Sequence, residues 1–226
     1  MTNEATIREM RQRRVRTEFV WDGKPRDLVA LNAKTGERLW TREGPVAPLT
    51  ITSKDTYLVF HDGDMIVCLD RETGDDIWKS RPVTRRSLIP FNFGTRLVLH
   101  DNTVLYAGGD GRMSGHNLQT GERLWEAKHD PSGYQSPNDL LVVGGLVWSA
   151  PTTSGRDTGV FTGRDHLTGE TKTQFPPNVE TYWFHHRCYI AKATDNFLIP
   201  SRTGIEFVDF QQEHWNIHHW VRGGCL

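Results

Sequence analysis

Short apolar runs recur along this chain, broken by small polar clusters that carry a glycine. "TYLVF" and "MIVCLD" flank "HDGD", "VLYA" and "RMSGHN" flank "GGDG", and "NFLIP" and "IEFVD" flank "SRTG". Paired runs joined by such a turn predict β-hairpins. "TEFVW-DGKPRD-LVALN" and "VWSA-PTTSGRDTG-VFTGRD" follow the same plan with longer loops. A further strand precedes most of the hairpins, in "PLTIT", "RLVLH", "DLLVV" and "CYIAKA".

The hairpins belong to an internal repeat. "LVALNAKTGERLW", "IVCLDRETGDDIW" and "MSGHNLQTGERLW" align directly, "FTGRDHLTGETKTQ" lacks the tryptophan, and "IEFVDFQQEHWNIHHW" keeps only the opening strand and its acid. Gly36, Gly74, Gly121 and Gly169 mark the period, 38, 47 and 48 residues apart (36 to 74, 74 to 121, 121 to 169). Asn32, Asp70, Asn117, Asp165 and Asp209 each end a strand, where a short polar side chain can bond the backbone of the following turn. The glycine four residues on supplies a left-handed conformation. Trp40, Trp78 and Trp125 hold one position in three units, which predicts packing between neighbouring units.

Each complete unit therefore has four antiparallel strands, A to D, and the first shows B, C and D only. Four-stranded units at this period predict an all-β fold, a β-propeller of about four and a half blades in an incomplete ring. A β-sandwich or jelly roll leaves the repeated turn and tryptophan unexplained. The expected organisation is a basic amino-terminal arm over residues 1–16 and a propeller domain over 17–226. Its blades fall near 17–45, 46–80, 95–128, 138–175 and 186–220.

Composition narrows the function classes. Lys plus Arg number 27 against 28 for Asp plus Glu, so no net field draws nucleic acid, and "TIREMRQRRVR" reads as a basic surface arm. No stretch approaches the ~20 apolar residues of a membrane span. The first residues lack the apolar core of a signal peptide, which taken at face value places the chain in the cytoplasm. Three cysteines, Cys68, Cys188 and Cys225, define no disulfide framework.

The segments "LVALNAKTGERLW" and its copies resemble the "AxDxxTGxxxW" signature of PQQ-like repeats, over about residues 17 to 220. That family includes quinoprotein dehydrogenases and a propeller lipoprotein of outer-membrane assembly, so the resemblance implies a seven- or eight-bladed ring and a cell-envelope or periplasmic setting. The tail "HHRCYIAKATD…SRTGIEFVDF…HWVRGGC" is similar to a group of large bacterial PQQ-repeat proteins whose chains continue further. The expectation is a fragment of a larger protein. PQQ itself is not expected, because the resemblance implies an adjacent cysteine pair, a calcium-binding set and a tryptophan platform, none of which can be matched here.

Candidate chemistry gathers on one face. In a propeller the A strand lines the central channel, and the D-to-A and B-to-C connections share a face opposite the "TG" turns. "HHRCY" straddles the end of a long D-to-A loop, and "RGGC" takes the equivalent place one blade on. His186 and Arg187 are the catalytic candidates, His186 as a general base. Arg85, Arg86, Tyr134, His185, Tyr189 and Arg222 are candidates for holding an acidic ligand through paired hydrogen bonds. His186, Cys188 and Cys225 could hold zinc or copper. Against these stands the plainer reading that Arg187 and the histidines bond neighbouring loops and lock the blade. Two functions follow. One is a binding or scaffold module whose channel face takes a protein or carbohydrate, without PQQ. The other is an enzyme, either metal-assisted or with a histidine general base and acting on a sugar-type or acidic substrate, or a quinoprotein-like oxidoreductase, whose site is completed by blades beyond this chain.

Overall fold

The computed structural model describes residues 20–89, 94–129, 139–149, 159–176, 191–200 and 205–218. Among these described residues, eighteen strands make up five antiparallel sheets. The first pairs β1 (Arg26–Leu31) with β2 (Arg38–Gly44). The second runs through β3 (Thr52–Lys54), β4 (Tyr57–His61), β5 (Ile66–Asp70) and β6 (Asp76–Lys79). The third holds β7 (Arg96–His100), β8 (Thr103–Ala107), β9 (Arg112–Asn117) and β10 (Arg123–Lys128). The fourth holds β11 (Leu141–Val143), β12 (Leu146–Ser149), β13 (Phe161–Asp165) and β14 (Thr171–Phe175). The fifth holds β15 (Lys192–Ala193), β16 (Phe197–Ile199), β17 (Ile205–Asp209) and β18 (His214–His218).

Within each four-stranded sheet, strands pair in chain order, so every sheet is a meander. Contacts between sheets run through the first strands, β3 to β7 to β11 to β15. These A strands are therefore innermost and the D strands outermost, which is the arrangement of an incomplete β-propeller. No helix among the described residues is long and apolar enough to cross a membrane.

Among the described residues the core falls into four clusters, each filling the gap between two successive sheets. Strand β8 shows why its sequence, "TVLYA", is apolar on both faces. Val104 and Tyr106 pack toward the second sheet, and Leu105 and Ala107 toward the fourth. Successive side chains of a strand point to opposite faces, so an inner strand between two blades must be apolar throughout.

The repeated turn is built as the sequence predicts. Oδ1 of Asp70 accepts from the amides of Glu72 and Thr73 at 2.8 and 3.0 Å. Asn32, Asn117, Asp165 and Asp209 make the same pair of bonds. Gly36, Gly74, Gly121 and Gly169 all have φ between +73° and +80°. A register shift accompanies each of these four hairpins and is missing from the fifth, where Glu213 occupies the glycine position at φ +54°.

Each repeat tryptophan belongs to two blades. Trp40 Nε1 donates to the carbonyl of Arg71 at 3.0 Å, Trp78 to Leu118 at 2.8 Å and Trp125 to His166 at 2.8 Å. Every acceptor is the residue after the Asp or Asn of the next blade's turn. The same rings lie over that turn's glycine. A Cβ on Gly74, Gly121 or Gly169 would come within 2.8, 2.4 and 2.7 Å of Trp40, Trp78 and Trp125. The residue across the strand from each ring is small: Ala30, Cys68 or Gly115. Cys68 is thus a spacer beneath Trp78, and burial pushes its thiol up to about 12, the nearby Asp70 adding to the shift.

Where the fourth unit loses its tryptophan the partner changes too. Thr173 stands in the tryptophan position, and its hydroxyl donates to Oε1 of Glu213, the glycine position of the next unit, at 3.3 Å. Aromatic packing of Trp148, Phe161, Phe175, Phe210 and Trp215 fills that interface instead.

One predicted strand is displaced. "PLTIT" is not the A strand of the second blade, which begins only at Thr52. Leu49 is left-handed at φ +62°, and Thr50 Oγ1 donates to the Ala47 carbonyl at 2.7 Å while accepting from the His61 amide at 3.2 Å. A side-chain hydroxyl here replaces ladder bonds, a competition typical of threonine in loops.

Candidate functional site

The connection that follows β6 is tied down over residues 80–89. Ser80 exchanges bonds with Ile66, its amide donating to the Ile66 carbonyl and its Oγ accepting from the Ile66 amide, both at 2.9 Å. Val83 N donates to the Asp64 carbonyl at 2.8 Å, which holds the loop on the turn between β4 and β5. The loop then crosses to the third blade, where Arg86 N donates to the Gly108 carbonyl at 3.1 Å. A Cβ on Gly108 would lie 2.1 Å from the Thr84 carbonyl, so only glycine lets the loop pass. The D-to-A and B-to-C connections thus share a face.

Arg85 pins the crossing. Its Nε donates to the Gly63 carbonyl, its Nη1 to the carbonyls of Arg86 and Ser87 at 2.9 and 3.2 Å, and its Nη2 stands 3.7 Å from an Asp64 carboxylate oxygen. Trp21 packs over Gly63, and its amide donates to the Ile89 carbonyl at 2.9 Å. The guanidinium fork, rigid and rich in donors, suits a place where several carbonyls converge. Arg86 is exposed beside it.

Beneath this face lies a buried pair from two blades. His61 ends β4 and Tyr106 sits in β8; the Tyr106 hydroxyl is 3.4 Å from His61 Nε2, with ring centroids 5.2 Å apart. Burial lowers the His61 imidazole from 6.5 to about 4, with Asp62 opposing and Arg85 assisting. Burial likewise pushes the Tyr106 hydroxyl upward. Both are therefore neutral near pH 7, and His61 Nδ1 is buried with no hydrogen-bond partner. Beside Tyr106 a shallow cleft is lined by Val83, Thr84, Arg112, Arg123 and Glu126. Glu126 is bridged by both arginines, one on each carboxylate oxygen, leaving one positive charge in excess.

Of the residues singled out in the sequence, Arg85 and Arg86 lie on this face. His185, His186, Arg187, Cys188, Tyr189, Tyr134, Arg222 and Cys225 lie outside the described residues. The sequence reading passed over Trp21, His61 and Tyr106. The signal for His61 was present, because it opens the "HDGD" turn on the same face as Arg85.

Trp40, Trp78 and Trp125 each give one ring face to the next blade's glycine and the indole N–H to its turn. Cys68, the cysteine among the described residues, lies buried beneath Trp78. These three rings and this thiol are engaged in packing between and within blades.

The sequence profile of the PQQ-like repeat family described as "Outer membrane protein assembly factor BamB" matches residues 23–181. BamB of Escherichia coli K12 is 26% identical over 111 residues, which is 49% of this chain and 26% of that protein. The crystal structure of BamB from Moraxella catarrhalis superposes with a TM-score of 0.59 at 19% identity, covering 84% of this chain and 58% of the other. A europium-containing methanol dehydrogenase aligns at a TM-score of 0.49 and 15% identity, over 81% of this chain and 44% of its own. The chain thus spans about a quarter of the E. coli relative's length.

Proposed function

The chain belongs to the PQQ-like repeat family described as outer membrane protein assembly factor BamB, and from that premise we propose that it is a non-catalytic scaffold that holds a protein partner on its D-to-A face. One observation carries the reading. Leu49, Ile51 and Leu88, all on D-to-A connections, are each more than half exposed, at 54, 53 and 56%. Large apolar side chains held on a pre-ordered surface favour a macromolecular partner over a small polar substrate.

Other exposed apolar residues are spread differently. Leu39, Ile77 and Leu124 each precede a repeat tryptophan on an outermost strand, one to a blade. Val29 and Leu31 are exposed on β1, and Leu167 in a turn of the opposite face. D strands diverge around the rim, whereas D-to-A connections converge on the axis, so Leu49, Ile51 and Leu88 share one side. In the proposal Arg86 on this face orients acidic groups of that partner, and Arg187 and His186 add to that role. The relatives are outer membrane protein assembly factors, which supports a role built on protein contacts.

Site-directed photocrosslinking in cells that express the chain from its own gene tests this. Benzoylphenylalanine at Leu49 or Leu88 is expected to give discrete protein adducts, several-fold above those from Lys34 and Glu122 on the opposite face. Adducts from the opposite face alone, equal yields from both, or capture of carbohydrate without protein would each overturn it.

A further inference from the structure

The opposite face carries a second cluster. His100 ends β7, Asp101 opens the β7–β8 turn, and His166 follows Asp165 in the β13–β14 turn. A-to-B and C-to-D turns share this face, which brings together residues from the third and fourth sheets. His100 Nε2 lies 3.5 Å and His166 Nε2 3.9 Å from the same oxygen, Oδ2 of Asp101. All three potential ligand atoms lie within 4.8 Å of one another. The imidazoles meet edge to face, with centroids 4.7 Å apart and planes at 88°.

We propose that His100, Asp101 and His166 form a binding site for a divalent transition-metal ion, zinc in the first instance. Two imidazole nitrogens and one carboxylate oxygen are a donor set that zinc accepts, at ~2.0–2.2 Å from each. Ligand atoms around such an ion stand roughly 3.3 Å apart, so the present separations close by small side-chain rotations. Asp101 can move, since its side chain is 69% exposed.

The surroundings prepare the site. His166 Nδ1 lies 3.1 Å from the hydroxyl of Thr103, which is fully buried. With Nδ1 carrying the proton and donating to Thr103, the Nε2 lone pair faces Asp101 and is open to an ion; metal-bound histidines are commonly oriented by such a second hydrogen bond. The backbone of His166 is held as well, because its carbonyl accepts from Trp125. On the far side Lys54 Nζ donates to the Asp101 carbonyl at 2.9 Å and stands 3.9 Å from Oδ1. The lysine occupies one carboxylate oxygen, and the other is turned to the histidines. Three protein ligands leave further positions to water, as in open rather than closed zinc sites. These residues are distinct from the His186, Cys188 and Cys225 set, and the site does not depend on the scaffold reading.

The test is titration of the full chain, first stripped with chelator, with zinc chloride by calorimetry, and with cobalt(II) followed by its visible spectrum. One ion per chain should bind saturably, cobalt should develop ligand-field bands, and zinc should raise the melting temperature. His100→Gln and His166→Gln should each weaken binding roughly tenfold or more, whereas His214→Gln, at an exposed position of β18, should bind as the parent does. Lys54→Met should tighten binding by removing a nearby positive charge. Melting of each variant without metal verifies its fold. An absence of saturable binding, or binding indifferent to both His100→Gln and His166→Gln, overturns the proposal.

Discussion

At the scale of single residues, burial decides what His61 does. The imidazole is held neutral, with its folded pKa near 4 against an ordinary value of 6.5. Between those values the unfolded chain binds a proton that the folded chain refuses, so stability rises with pH across this window. The contribution is complete above about pH 6.5 and is lost as pH falls toward 4; a shift of this size corresponds to about 3 kcal/mol. Urea denaturation at about pH 7 and about pH 4.5 should therefore show a larger acid loss for the parent than for His61→Phe. Equal losses would mean that His61 is solvated in the folded protein. Arg85 illustrates the opposite case, an ionised group satisfied by carbonyls and an Asp64 carboxylate rather than by an external ligand.

At the scale of the repeated element, tryptophan and glycine form a ladder in which each blade's ring rests on the next blade's turn. Gly121 and Gly36 separate the two demands made on the glycine. Their φ values are +74° and +75°, yet a Cβ meets Trp78 at 2.4 Å in the first and nothing within 4 Å in the second. Gly36→Ala should cost about 1–2 kcal/mol, for the left-handed backbone alone. Gly121→Ala should cost about 2–4 kcal/mol, because overpacking of a buried ring adds to it. Equal losses on chemical denaturation would show that the contact is unimportant. The fourth rung allows a second check, since Thr173 faces Glu213 where the other rungs pair tryptophan with glycine. Thr173→Trp combined with Glu213→Gly should be more stable than the sum of the single changes, by about 1 kcal/mol. Strict additivity would mean that these two positions do not form a rung.

At the scale of the whole molecule, the blades present two chemically different faces. One carries Arg85, Arg86 and exposed leucines on loops near the axis; the other carries the Asx turns and the His100–Asp101–His166 cluster. The period, the Asx–glycine turns and the inter-blade tryptophans were legible because each depends on residues close in sequence, or on one interaction repeated at a fixed interval. Turn geometry is local, and a residue type recurring in register betrays a recurring neighbour. The His–Asp–His cluster was not legible. His166 looks like any turn residue until the ring of blades sets it beside Asp101, and no spacing rule links positions on different sheets. Arg85 was placed on the right face from its loop, while its partners, three carbonyls and a carboxylate, could not be named from a sequence in which every residue carries a carbonyl.

The sequence by itself determined the architecture: all-β blades, their meander order, and the face to which each class of loop belongs. It could do so because strand periodicity and turn chemistry are properties of short segments. Only the tertiary structure decided which side chains meet across blades, such as His61 with Tyr106, Thr173 with Glu213, and His100 with His166. Those meetings depend on the rotation and spacing of one sheet against the next, which the packing of large and small side chains between blades sets and no single segment encodes.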